Sequence, residues 1–290
     1  MLLRLLLPLF LILSVAQTKE QQTLHMGYYL PSFNNVSTKD VKISLNFWAK
    51  EIGTKTGLRL TNHFYKNIHQ LKKDFDAGKI DSINASLPLI ASLFDINTLK
   101  NGFRPVINGQ ENGTEMLILV QKKSRFKSLK DLQHKRLLRL PNNDLEKLYL
   151  DTLLLKKFHK DTKRFFGKTG YVKQYNKAIM KLFFKKSDAA LVTRQSFELA
   201  AELNPQIARK LKPVYTFSIP VNNGSFFRRD YSKKNIINYR KIAFNLNKTP
   251  RGKQILQVFK CDKIVENSLD DIRIVQQIQR EYRRLKQKEH

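Results

Sequence analysis

A two-lobed α/β fold with a ligand cleft between the lobes is what this sequence predicts, and three features of the 290-residue chain carry the expectation. Apolar strand-like runs alternate with helix-spaced runs, which implies sheets covered by helices. The alternation restarts near Thr114, so two such units follow one another. Polar residues gather where strand-like runs give way to helix starts, which is where open α/β sheets bind ligands.

Taken in order, Thr23–Tyr29 reads as a short strand ending in aromatics, and residues 31–35 as a turn. Ser37 and Thr38 offer capping hydroxyls, and Val41, Leu45, Trp48, Ala49 and Ile52 then recur at helical spacing until Gly57. Residues 58–65 alternate as a strand does. Residues 67–77 form a helix with Ile68, Leu71 and Phe75 on one face, closed by Gly78. A strand over 80–86 leads into Leu87-Pro88, which opens a turn or helix.

The second unit begins with a strongly apolar strand over 115–120, then a short helix over 128–132 and a strand over 136–140. The turn Pro141-Asn142-Asn143-Asp144 precedes a helix over 145–158. Helices over 177–184 and 195–203 flank a buried strand over 189–193, and a strand over 214–219 ends the unit. Three mostly helical segments, 233–247, 250–259 and 270–288, close the chain.

The N-terminus adds a compartment. Arg4 gives a basic start, residues 5–13 are apolar apart from Pro8, and Ser14-Val15-Ala16 puts small residues before Gln17. That order is a secretory signal peptide over residues 1–16, and its apolar run is shorter than the roughly 20 residues a membrane span needs. The periplasm is the expected location. Cys261 is the single cysteine, so no internal disulfide can form and packing must supply stability. Net charge is +30, with 54 Lys+Arg against 24 Asp+Glu. For an exported chain this is read as a solvated basic surface and a field that favours anionic ligands, not as nucleic-acid binding. A polyanion- or membrane-binding role rests on charge alone.

No enzyme constellation is present: there is no Gly-rich phosphate loop, no His-Glu-x-x-His, no paired Cys and no Gly-x-Ser-x-Gly. No metal ligand set, cofactor or catalytic residue is expected. The polar residues at strand-to-helix junctions are Tyr28, Ser37, Thr38, Tyr65, Ser86, Asn142, Asn143 and Thr193. Individually each is an ordinary cap or turn residue. As a set they mark one ligand site, where helix N-termini present free N–H groups to an oxyanion.

Several stretches carry a family resemblance: 24–31, Phe47-Trp48 with Gly53, Phe64-Tyr65-Lys66-Asn67, and Phe75 to Asp81 with its Gly-x-hydrophobic-Asp ending. Ser128-Leu129-Lys130-Asp131-Leu132, Ser187 to Val192, and Lys212 to Pro220 continue it. Together they resemble the phosphate/phosphonate-type periplasmic substrate-binding proteins of ABC transporters, within the type II periplasmic binding protein fold. The resemblance implies lobe 1 over 17–114 plus 220–290, lobe 2 over 115–219, and hinge closure on a small polar or anionic ligand. It implies a monomer that works with an inner-membrane permease; the alternative is a sensor module facing a membrane histidine kinase or diguanylate cyclase. Two positions depart from the family. Pro141-Asn142-Asn143-Asp144 stands where phosphonate binders place Ser/Thr and Gly, and Gln174-Tyr175 stands where they carry a His.

Overall fold

The computed structural model describes residues 22–33, 37–107, 109, 111–141, 143–259 and 261–288. The expected signal peptide and Asn142 lie outside them. The chain first builds β1 (Thr23–Tyr29), α1 (Thr38–Thr56), β2 (Arg59–Tyr65), α2 (Ile68–Asp76), β3 (Ser82–Ser86), α3 (Leu87–Leu93) and β4 (Leu99–Val106). It then crosses to a second sheet: β5 (Thr114–Gln121), β6 (Arg136–Arg139), α4 (Asp144–Phe158), α5 (Thr162–Phe165), β7 (Lys168–Tyr171), α6 (Tyr175–Phe183), β8 (Ala189–Thr193), α7 (Arg194–Leu203), α8 (Gln206–Lys210) and β9 (Leu211–Ile219). It returns through β10 (Asn223–Arg228), α9 (Lys233–Ala243), α10 (Pro250–Val258), β11 (Lys263–Asn267) and α11 (Leu269–Gln287).

The local causes are legible. Ser37 Oγ accepts the Asp40 N–H at the start of α1, which satisfies one orphan donor of the first turn. Val41, Trp48, Ala49 and Ile52 bury the inner face of that helix. Gly57 ends it at φ +70°, a left-handed position that favours glycine. In β8 all five residues are buried, as befits a strand covered on both faces.

The first sheet has the order β11-β4-β10-β3-β1-β2 and the second β7-β6-β8-β5-β9. In the first, β1 is parallel to β2 and β3, while β10 runs antiparallel to β3 and β4. In the second, β6 is parallel to β7 and β8, while β5 runs antiparallel to β8 and β9. These directions fix how the sheets face. β4 leaves the first sheet at the end where β1, β2 and β3 terminate, and β5 enters the second at the end where β6, β7 and β8 terminate. The return from β9 to β10 joins the same two ends. Both crossovers therefore bring the carboxyl ends of the parallel strands of one sheet against those of the other.

At the first crossover Gly113 has φ +108°, and a Cβ there would collide with the Ile219 carbonyl on the returning strand. Leu87 N–H donates to Asn222 O at 2.7 Å, tying the second crossover to the end of β3. One apolar cluster runs across both sheets, from Leu71, Ile83 and Leu87 to Ile118, Leu145 and Leu154, and includes Ile272 and Val275 of α11. Thus α11 packs on α3 and on α4, and Lys156–Glu281 and Lys286–Asp161 ion pairs (3.2 and 2.6 Å) fasten its far half to the second unit.

The structure adds elements that the sequence reading lacked. Residues 220–290, read as three helices, also contribute β10 and β11. β4 carries Gly102 and Pro105, which interrupt its apolar alternation, and β7 is a four-residue edge strand. Pairing with neighbours, not residue pattern, makes these strands.

Candidate functional site

The facing strand ends collect most of the residues singled out from sequence. Ser37 caps α1 and its hydroxyl is engaged by Asp40; Thr38 follows it, exposed. Tyr65 ends β2, and its hydroxyl donates to Asp74 Oδ2 at 3.0 Å. Burial first, and then that carboxylate, push its phenol well above the usual range. Ser86 ends β3 and is buried; its N–H donates to Ser32 Oγ at 3.0 Å, while its own Oγ has no partner. Asn143 caps α4 by accepting the Glu146 N–H at 3.1 Å, and Thr193 caps α7 by accepting the Ser196 N–H at 3.1 Å.

Tyr28 is placed differently. It is 3% exposed, stacks on Phe64 at 5.8 Å between centroids, and points its hydroxyl at Met26 Sδ. It belongs to the apolar cluster of Leu24, Trp48, Phe227 and Tyr239, so its ring is core rather than an exposed flat face for a ligand. The alternation of β1 explains this: Leu24, Met26 and Tyr28 share one face of the strand.

The most charged feature at these strand ends is one that sequence reasoning missed. Arg139, the last residue of β6, is 4% exposed, and its Nε donates to Glu146 Oε1 at 3.3 Å. Glu146, in the first turn of α4, is fully buried and also accepts from Tyr175 Oη at 3.0 Å. Asn143 O accepts from Arg139 Nη2 at 3.4 Å, and the guanidinium lies 5.8 Å from the Tyr171 ring centroid. Burial pushes the Glu146 carboxyl up to about 7, opposed by the charge of Arg139 and by hydrogen bonds from Tyr175 and Arg139. Burial, then the Glu146 charge, push the Tyr175 phenol up. The sequence held two signals: an Arg amid the apolar run of β6, and Tyr175 at the position where the family pattern departs.

An open depression of about 570 Å³ lies beside the first crossover, lined by Thr114, Glu115, Arg194, Gln195 and Ser218 among others. That is within the range of small-molecule sites. Arg194 there is held by Glu115, with Nη2 to Oε1 at 2.9 Å. Among the described residues no group of three or more His, Cys, Asp or Glu could hold a metal ion, and no helix is long and apolar enough to cross a membrane. Chemically, the strand ends offer helix N-termini, hydroxyls and one buried guanidinium, which suits holding an oxyanion.

Residues 35–272 match the model of a family described as the periplasmic substrate-binding protein of phosphonate ABC transporters. No curated protein sequence matches the chain. Among solved structures, the binding protein component of an ABC phosphonate transporter from Pseudomonas aeruginosa is similar, with TM-score 0.61 and 17% identity over 93% of this chain and 90% of that one. PhnD1 of Prochlorococcus marinus, solved with methylphosphonate, gives TM-score 0.61 and 16% identity over 90% of this chain and 98% of that one. XAC2383 of Xanthomonas citri, solved with chloride, gives TM-score 0.63 and 13% identity over 91% and 99%. These likenesses show a shared two-lobed fold.

Proposed function

This chain belongs to the periplasmic substrate-binding proteins of phosphonate-type ABC transporters, and we propose from that premise that it holds a small oxyanion between the two facing sets of strand ends. The family is a transporter component, which leaves the sensor alternative without support. The observation that carries the proposal is the pair of crossovers, each joining carboxyl ends of parallel strands in one sheet to those in the other. In this reading lobe 1 comprises 17–114 plus 220–290 and lobe 2 comprises 115–219. Gly113-Thr114 and Ile219-Pro220 are the hinges, and the signal peptide directs export and is cleaved after Ala16.

In lobe 2 the oxyanion meets Asn143 and the first turn of α4, Thr193 and the first turn of α7, and the Arg139 guanidinium. Lobe 1 offers Thr38, the Tyr65 edge and the unpartnered Ser86 hydroxyl. Glu146 competes with the ligand for Arg139. Because its carboxyl titrates near neutrality, ligand entry favours its protonated form, in which it donates rather than repels. Methylphosphonate is the first compound to try, since a protein of this fold was solved with it.

The test is a thermal-shift panel of methylphosphonate, inorganic phosphate and sulfate, followed by titration calorimetry on any that stabilise. A ligand at ~100-fold its Kd stabilises the folded state by about 2.7 kcal/mol. A shift with one site per chain is expected. No shift from any tetrahedral oxyanion would overturn the ligand class.

A further inference from the structure

Residues 115–219 carry 24 Lys/Arg against nine Asp/Glu, and the structure concentrates part of that charge around exposed apolar side chains at the end of the second sheet away from the crossovers. Helix α6 runs antiparallel to β8 and α7 returns along it, so both helices end there. Phe184, just past α6, is 61% exposed, and Leu203, the last residue of α7, is 79% exposed. Lys185 follows Phe184 in a left-handed conformation, φ +58°, and turns the chain sharply beside it.

Neighbouring segments close around this tip. Gln121 Nε2 donates to Leu182 O at 2.6 Å and to Phe183 O at 3.1 Å. Lys122 N–H donates to Lys210 O, and Lys210 Nζ sits 4.6 Å from the Phe183 ring centroid. The Phe183 and Phe184 rings meet edge to face at 5.2 Å. Lys122, Lys123, Lys185, Lys186, Arg209 and Lys210 lie on the segments that meet at this tip, all of them exposed; Glu202 beside Leu203 is the carboxylate at this end of α7.

We propose that this tip docks on an anionic lipid bilayer, with Phe184 and Leu203 entering the interface and the basic side chains meeting the headgroups. The cations of the tip are mostly lysines, compact charges on flexible stems that suit a diffuse layer of phosphates better than a fixed bidentate partner. Exposed aromatic and aliphatic side chains within a ring of lysines are the composition of interfacial anchors. A periplasmic component of a membrane transporter also works beside such a surface, and two-dimensional capture shortens its search for the permease.

The test is co-sedimentation of protein released from the periplasm of an expressing host with vesicles of phosphatidylcholine alone or with one-quarter phosphatidylglycerol, at 0.15 M NaCl. The intact mass of each sample is recorded, so that all variants are compared at one N-terminus. Binding to the anionic vesicles alone is expected. Phe184→Ser with Leu203→Ser should weaken it at least about tenfold, as should Lys185→Glu with Lys186→Glu. Lys39→Glu with Lys42→Glu, an equal charge change on exposed positions of α1, should leave it within about twofold. Melting temperatures identify any variant that unfolds, and Phe184→Tyr with Leu203→Ala then replaces the serine pair. No binding at this salt, equal binding to the two kinds of vesicle, or equal loss in the α1 variant would each overturn the proposal.

Discussion

Glu146 sits fully buried between Arg139 and Tyr175, and its elevated carboxyl sets a sign for stability. The native state keeps a proton that the unfolded chain releases above about pH 4.5. Stability from this group is therefore present below that pH and lost as pH rises through about 7. The integrated difference is roughly 3 kcal/mol at most. Urea unfolding at pH 5, 6, 7 and 8 should show Glu146→Gln gaining on the parent protein as pH rises; a pH-independent difference would contradict this. Thr193→Ala should cost about 0.5–2 kcal/mol, because its side chain caps α7. If the ligand also bonds there, affinity falls roughly 10- to 150-fold, which calorimetry reads separately from the melting temperature. At this scale the sequence was half legible. Caps such as Ser37, Asn143 and Thr193 follow from local chemistry and could be named. The pairing of Arg139 with Glu146 and Tyr175 depends on β6, α4 and α6 converging, which no local pattern contains, and the burial of Tyr28 depends on which face of β1 meets α1 and α9.

Helix α11 is the element that joins both units. Ile272 and Val275 are fully buried in the cluster that also holds Ile83 and Leu154. Ile272→Ala should cost about 2–5 kcal/mol in chemical denaturation, and a loss below 1 kcal/mol would mean that the strap contributes little. The ion pairs of its far half are partly exposed and are worth much less than this packing. Gly113→Ala tests the crossover. Its positive φ and the Ile219 carbonyl leave no room for a Cβ, so the variant should melt lower and cross between the sheets less cleanly. An unchanged melting temperature would show that the crossover can relax. Elements with strong apolar periodicity, such as α1, α2, β5 and β8, lie where the sequence placed them, within a residue or two. β4, β10 and β11 escaped because Gly and Pro break their pattern, and because strands held by long-range pairing carry little signal of their own.

For the molecule as a whole, the two-sheet architecture was readable because each β-α unit leaves a local signature and the signature restarts once. Residues 220–290 were harder, since their strands complete a sheet begun over a hundred residues earlier. The excess of basic residues biases solubility and partners without choosing the fold. Closure is the motion that the fold class implies. Scattering with and without a saturating oxyanion should show a smaller radius of gyration for the complex. A closure confined by α11 should be a hinge rotation about the side that this helix bridges, leaving the α3–α11–α4 packing in place.

The central claim is that one solute is held by strand ends of both sheets at once, and hydrogen–deuterium exchange on the complex reads this without any substitution. The oxyanion that most raises the melting temperature is added at saturation. Slowed exchange is predicted at 28–33, 37–38, 65–68 and 84–88 from the first sheet, and at 139–141, 143–146, 171–176 and 193–196 from the second. Protection confined to one of these sets, or centred instead on the separate depression between Lys100 and Arg240, would place the ligand elsewhere and contradict the account.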